Sequence, residues 1–186
     1  TGRYTGMTER GDGTVDVAFI EGRSRHGTPT SVRARLVIGA DGALSKVAKQ
    51  RIPSAARARH VFAYHEIVAS PTVESDGFVA DRCDVFYQGD VSPDFYAWVF
   101  PHGPTTSIGT GSLQQGFGLR DAVARLRDRN GLAGCETLRR EGAPIPLAPL
   151  RRWDDGRHVV LAGDASGVVA PASGEGIFYA MTGGRL

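Results

Sequence analysis

Two segments of the chain place a glycine and an aspartate at the end of an apolar run, a combination from which α/β proteins build ligand sites. The first is Ile38-Gly39-Ala40-Asp41-Gly42. Glycines on both sides of a short acid let the backbone turn sharply and approach a ligand closely. The carboxylate either accepts from ligand hydroxyls or holds the loop itself. Asp-Gly is also an ordinary turn dipeptide, as Asp12-Gly13 and Asp76-Gly77 show in the same chain. The second segment is Leu161-Ala162-Gly163-Asp164-Ala165-Ser166-Gly167, followed by Pro171-Ala172-Ser173-Gly174-Glu175-Gly176 and an apolar stretch from Ile177. Its small residues would let a bulky ligand lie against main chain. A helix starting after Ser173 would offer free N–H groups and the positive end of its dipole to a phosphate or another electron-rich group. Glu175 fits two roles, a first-turn acid that complements that dipole or a direct ligand contact.

A third segment is aromatic, Ser92-Pro93-Asp94-Phe95-Tyr96-Ala97-Trp98-Val99-Phe100-Pro101. On a strand, Tyr96, Trp98 and Phe100 share one face, either as core packing or as a continuous wall for a planar cofactor or a long apolar substrate. The dinucleotide fingerprint GxGxxG is missing. Gly109-Thr110-Gly111 lacks its third glycine and Gly116-Phe117-Gly118 does not follow a buried strand, so both read as turns. The main phosphate loop of any dinucleotide is therefore expected upstream of Thr1.

The elements that must carry these segments follow from periodicity. Val15, Val17 and Phe19 alternate with polar neighbours after the turn Glu9 to Gly13, which predicts a hairpin. A polar turn from Gly22 to Thr30 leads into Val32 to Ile38, which ends as a continuous apolar run and is expected to be a strand buried on both faces, with a short helix after Gly42. The stretch from Val61 to Thr110 is rich in aromatic and β-branched residues and predicts an antiparallel sheet. Leu119, Ala122, Val123 and Leu126 recur at helical spacing before Gly131, the pattern of an amphipathic surface helix. Ala143 to Pro149 reads as an extended Pro-rich connection, and His158 to Ala162 as a second buried strand.

Composition bounds the function. The 186 residues are 41% hydrophobic and carry 22 basic against 20 acidic side chains. That is a globular composition without the basic excess that nucleic-acid binding normally needs. Cys83 and Cys135 are too few and too far apart for a zinc site or a disulfide framework, so no metal is expected. No apolar run approaches the ~20 residues that span a bilayer. The chain starts without Met and stops inside an apparent helix, so it reads as a piece of a longer protein.

In this order, these residues resemble the flavoprotein geranylgeranyl reductases. Ile38 to Val47 is similar to the DG motif of the hydroxylase-type FAD fold, and Ala162 to Gly176 to its GD motif. Tyr96-x-Trp98-x-Phe100-Pro101 is similar to the YxWxFP signature of the reductase branch. Gly142 to Leu147 and Gly163 to Ile177 look closest to the bacteriochlorophyll geranylgeranyl reductases. The resemblance implies a mixed α/β chain, part of a hydroxylase-type FAD-binding fold with an inserted antiparallel substrate domain. Residues 1–55 and 151–186 would belong to the FAD-binding domain and 56–150 to the substrate domain. It implies FAD and NADPH as cofactors and a geranylgeranyl chain, on a chlorophyll-type pigment or as the diphosphate, reduced to phytyl. Gly163, Asp164, Gly174, Glu175 and Gly176 would contact or approach the flavin, with Asp41 and Gly42 near the pyrophosphate and nicotinamide. Tyr96, Trp98 and Phe100 would line the prenyl pocket.

Reducing an isolated alkene needs hydride at one carbon and a proton at the other, so the protein must supply orientation, a dry apolar surface and a proton source. His65, Tyr64 and Tyr96 are the candidates for that source. The expected location is the cytoplasm, with peripheral contact to a photosynthetic membrane. The alternatives are an aromatic-ring FAD monooxygenase of the same fold, against which stand Gly167 and Ile177-Phe178 where that group carries His and Asn, and a truncated, non-catalytic fragment. Lacking the amino-terminal βαβ unit, the chain is expected to bind FAD weakly alone.

Overall fold

In the computed structural model, which describes residues 2–22, 27–75, 77–170 and 173–185, the chain divides into two compact units. One is Thr1–Arg59 with Pro146–Leu186, and the other is His60–Ile145.

In the first unit, β1 (Gly2–Glu9) and β2 (Val15–Glu21) form the expected hairpin, and β3 (Thr28–Ala34) adds antiparallel to β2. Residues 23–26 of the polar turn before β3 lie outside the described residues. The run that reads as one strand from Val32 is divided. β3 ends at Ala34, and β4 (Val37–Gly39) pairs in parallel with β10 (Val159–Leu161) instead. A core of Met7, Val47, Ala48, Ile52, Val159 and Leu161 joins this pair to the helix α1 (Lys46–Arg51). The expectation that β4 and β10 are buried on both faces is corrected. Ile38 is 65% exposed and Val160 42%, because among the described residues only the Val37, Gly39, Val159 and Leu161 side of this pair is covered.

The approach to β10 is held by one carboxylate. Asp155 Oδ1 accepts the backbone N–H groups of Arg157, His158 and Val159 at 2.9, 2.8 and 2.9 Å. Its Oδ2 accepts Arg51 Nε at 2.8 Å and Nη2 at 2.6 Å. Burial opposes the charge, but these donors outweigh it and hold the Asp155 carboxyl well below the usual carboxylate range.

The second unit is a five-stranded antiparallel sheet in the order β6-β7-β8-β5-β9, from β5 (His60–Ala69), β6 (Asp84–Phe86), β7 (Ala97–His102), β8 (Thr105–Ser112) and β9 (Thr137–Pro146). The helix α2 (Leu119–Arg129) buries Ala122, Val123 and Leu126, and Gly131 follows at φ 68° as the stop. Its apolar side packs with Tyr64, Val68, Ala97, Val99 and Ile108 of the sheet. Two readings change here. Gly109-Thr110-Gly111 is not a turn but the interior of β8, and the extended Pro-rich stretch is, through Pro146, part of strand β9 rather than a connection. Prolines are tolerated there because β9 is an edge strand, where missing N–H donors cost no ladder bond.

Candidate functional site

The parallel register sets Gly39 beside Leu161, and Ala162 N–H donates to the Gly39 carbonyl at 3.0 Å. The two Gly/Asp turns therefore leave the sheet side by side, at the carboxyl ends of its strands. A side chain at Gly39 would stand 2.6 Å from Leu161 Cδ2 and 3.0 Å from Val47 Cγ1, so glycine is what allows the approach.

The two aspartates are used differently. Asp41 Oδ1 accepts the Ser45 hydroxyl at 2.5 Å, and Oδ2 accepts the N–H groups of Lys46 at 2.8 Å and Val47 at 3.3 Å. Ser45 Oγ in turn accepts Ala48 N–H at 2.8 Å. Both oxygens of Asp41 are thus occupied in capping α1, leaving the main chain of Gly42, at φ 80° with open space around it, as the surface this turn offers. Asp164 is exposed and has no side-chain partner among the described residues. It sits in the 3-10 turn Gly163–Ser166, where the Ser166 hydroxyl donates to the Gly163 carbonyl at 2.8 Å.

Glu175 Oε1 accepts Phe178 N–H at 2.8 Å, so it caps the first turn of α3 (Ile177–Arg185). Gly174, at φ 64°, donates its N–H to the Ala170 carbonyl at 2.8 Å. At Gly176 a Cβ would lie 2.9 Å from Val169 Cγ1 and 3.3 Å from Asp164 Oδ1. The free carboxylate and the start of α3 therefore adjoin. Pro171 and Ala172 lie outside the described residues.

In the second unit, strand alternation divides the sequence-predicted residues between two faces. Tyr64 lies on the α2 side and donates its hydroxyl to Glu66 Oε1 at 2.7 Å. Burial, and then the bond and charge of Glu66, push the Tyr64 hydroxyl pKa up. Glu66 is held by Arg127 at 2.5 Å and Arg140 at 3.3 Å; burial opposes its charge, but Tyr64 and these arginines keep its carboxyl below the ordinary value.

The other face carries the aromatic row. Trp98 stands 5.9 Å from Tyr96 edge-on and 6.2 Å from Phe100 in a stacked arrangement, and Phe95 stacks on Tyr96 at 4.3 Å. Burial, then the neighbouring Tyr87, raises the Tyr96 hydroxyl pKa. The Trp98 ring rests on Gly109, where an added Cβ would meet its Cζ2 at 2.3 Å; a Cβ added at Gly111 would meet Phe95 Cδ1 at 2.9 Å.

His65 is brought to this same face. Its Nδ1 is 3.1 Å from Ser107 Oγ, its Nε2 is 3.0 Å from Glu141 Oε2, and its ring is 6.2 Å from Trp98. Trp98 Nε1 donates to the same Ser107 oxygen at 3.1 Å. A cleft of about 520 Å³ is lined by His65, Trp98, Glu141 and the apolar Ala63, Ala143 and Ile145. A second, of about 630 Å³, is lined by His65, Ser107, His102 and Arg139 among others. Sequence reasoning missed Ser107, Glu141 and the seat at Gly109. The period-2 spacing of Ser107, Gly109 and Gly111 signals the seat once β8 is recognised as a strand; nothing local marks Glu141.

The fold is shared with solved structures of the hydroxylase type. A solved aklavinone-11 hydroxylase in complex with FAD and aklavinone superposes with a TM-score of 0.62 at 18% identity, over 93% of this chain and 33% of that one. A geranylgeranyl bacteriochlorophyll reductase-like protein from Thermoplasma acidophilum superposes with a TM-score of 0.77 at 22% identity, over 97% of this chain and 45% of that one. By sequence, the chain is a homologue of the geranylgeranyl diphosphate reductase of Rhodobacter capsulatus, 54% identical over 159 residues. The match covers 86% of this chain and 40% of the relative, so the chain spans less than half the length of that protein. No family model matches.

Proposed function

We propose that this chain is part of a flavoprotein that reduces the double bonds of a geranylgeranyl chain to phytyl, taking reducing equivalents from NADPH. The observation that carries the reading is the aromatic row seated on Gly109, in a chain 54% identical to a geranylgeranyl diphosphate reductase. The same identity favours reduction over ring hydroxylation.

The first unit fits part of FAD. Asp164, without a side-chain partner among the described residues, is an acceptor for ribityl hydroxyls, Gly42 offers bare main chain, and Gly163, Gly174, Glu175 and Gly176 set the start of α3 beside Asp164. Asp41 acts by shaping its turn. FAD held there would, once reduced, be the source of hydride. The residues of the second unit orient the prenyl chain: Tyr96, Trp98 and Phe100 give it an apolar surface and keep water from the reacting carbons. The substrate is a prenylated pigment or the free diphosphate.

The chain alone would hold FAD weakly. Supporting this, Ile177 and Met181 of α3 are 74% and 72% exposed, an apolar surface that further protein would cover. Among the described residues no helix is long and apolar enough to cross a membrane. Peripheral contact with a membrane is part of the proposal, tested by flotation with liposomes; a protein that stays in the soluble fraction argues against it.

The deciding experiment is anaerobic turnover of the full-length protein carrying this segment, with FAD, NADPH and geranylgeranylated bacteriochlorophyllide or geranylgeranyl diphosphate. Successive two-hydrogen mass gains support the reductase. NADPH oxidation that requires oxygen and an aromatic ring substrate would move the protein to the hydroxylases.

A further inference from the structure

We propose that the cleft between Pro53–Arg59 and Leu147–Arg151 binds the 2′-phosphate end of NADPH through Arg57, Arg59 and Arg151. The inference rests on the NADPH half of the reading above and adds the residues that recognise the reductant. Every residue involved belongs to the first unit.

The walls of the cleft are fixed by that unit alone. Ile52 and Ala55, 2% and 7% exposed, anchor the 3-10 turn Pro53–Arg57 to the core and leave Arg57 at the surface. The Leu147 N–H donates to the Arg59 carbonyl at 3.1 Å, which ties the two walls together. The Leu150 N–H donates to the Ser166 carbonyl at 2.9 Å. Gly167, at φ 75°, admits the Ala148 carbonyl, from which an added Cβ would stand only 2.5 Å. The second wall therefore rests on the turn that carries Asp164.

Charge says what the cleft would take. Elsewhere in this unit arginines face carboxylates: Arg10 faces Asp16, Arg51 faces Asp155 and Arg157 faces Glu9. Arg57, Arg59 and Arg151 have no side-chain partner among the described residues, and no carboxylate lines the cleft with them. Guanidiniums stay charged at any physiological pH, so three around one cleft repel one another, and a multiply charged anion relieves that repulsion. A phosphate monoester carries nearly two charges at pH 7 and offers oxygens that match the guanidinium fork.

Shape narrows the ligand. The cleft holds about 760 Å³, within the roughly 300–1,000 Å³ of small-molecule sites. Besides the arginines its lining is largely apolar, with Pro53, Leu147, Pro149 and Leu150. Inorganic phosphate would leave that surface bare. A phosphate carried on a flat organic body uses both, and adenosine 2′-phosphate is the part of NADPH with that chemistry. NADH lacks this phosphate, so the three arginines would decide between the two nucleotides. A prenyl diphosphate is also an anion on an apolar body, but the aromatic row suited to its chain belongs to the second unit.

The test uses the full-length flavoprotein. In titration calorimetry, 2′,5′-ADP should bind about 10-fold tighter than ADP, and the difference should shrink as salt rises. Arg57→Gln, Arg59→Gln and Arg151→Gln should each weaken 2′,5′-ADP about 10-fold and ADP by less than roughly threefold. In flavin reduction without prenyl substrate, the ratio of kcat/KM for NADPH over NADH should fall by the same factor. Lysine at these positions should restore part of it, because it keeps the charge without the fork. Ala148→Glu, which sets a carboxylate on the wall and removes no arginine, should act in the same direction. Arg35→Gln, at an exposed arginine outside the cleft, should change neither readout.

Equal affinity of the wild type for 2′,5′-ADP and ADP overturns the proposal, as does an unchanged NADPH-to-NADH ratio in the three arginine variants. If those variants raise KM for geranylgeranyl diphosphate and not for NADPH, the cleft serves the substrate and the proposal is likewise overturned. Prenyl reduction is scored separately. A wild type that reduces its flavin with NADPH but reduces no prenyl chain refutes the reductase reading, while 2′,5′-ADP binding still decides the role of the cleft.

Discussion

Replacing Gly109 with alanine puts one methyl group under an indole ring. The added Cβ would lie 2.3 Å from Trp98 Cζ2, 2.6 Å from Trp98 Cε2 and 2.6 Å from His65 Cβ. Ordinary carbon contacts begin near ~3.5 Å, so the ring must rise by roughly 1 Å. Phe100 and Tyr96 hold it from two sides and Ser107 holds its N–H, so the movement breaks packing and a hydrogen bond together. Overpacking of this kind costs about 1–3 kcal/mol. Alanine recovers about 0.5–1 kcal/mol of that in a strand, where glycine is entropically poor. A net loss of ~1–2 kcal/mol should shift the urea midpoint of the second unit by roughly 0.5–1 M. The assay is equilibrium unfolding followed by Trp98 fluorescence, in a Trp153→Phe background that removes the other tryptophan. Gly134→Ala, which meets nothing within 4 Å, is the control. If Gly109→Ala unfolds with the control and leaves Trp98 emission unchanged, the ring does not rest on that glycine.

The two aspartates should separate in their effects. Asp41→Ala should cost about 1 kcal/mol through the lost helix cap. Asp164→Ala should leave the unfolding midpoint nearly unchanged but lower the FAD content of the full-length protein, read from flavin absorbance after gel filtration. Asp155 binds its proton more weakly folded than unfolded. Its contribution is therefore complete above the unfolded carboxyl value near ~4 and is lost as pH falls below that toward the depressed folded value. Asp155→Asn should cost about 2–3 kcal/mol at pH 7 and flatten the acid limb of stability, checked by urea unfolding at pH 7 and pH 3. Tyr64→Phe should cost about 1 kcal/mol of stability while leaving prenyl reduction within twofold, because its hydroxyl serves Glu66 on the α2 side.

Local signals were legible wherever one short segment decides the outcome. The hairpin β1–β2 follows from Gly13 and the alternation after it, α2 from the spacing of Ala122, Val123 and Leu126, and α1 from the Asp-Gly turn before it. Burial was less legible. Ile38 belongs to an apolar run, yet it is 65% exposed, because what packs on each side of β4 is set by tertiary structure, which periodicity does not encode. Gly109-Thr110-Gly111 reads as a turn because glycines mark turns in one dimension; what puts it inside β8 is pairing with β5 on one side and β7 on the other, and the Trp98 ring then occupies the space a side chain at Gly109 would take.

The sequence by itself determined the hairpin, α1, α2, the two Gly/Asp turns and the aromatic row, because each depends on residues within a few positions of one another. Only the tertiary structure decided which carboxylate is free, since Asp41 and Asp164 differ in the donors folded around them rather than in their neighbours in sequence. It also decided that His65 meets Ser107, 42 positions away, and Glu141, 76 positions away, because strand pairing sets those neighbours through register and not through sequence distance.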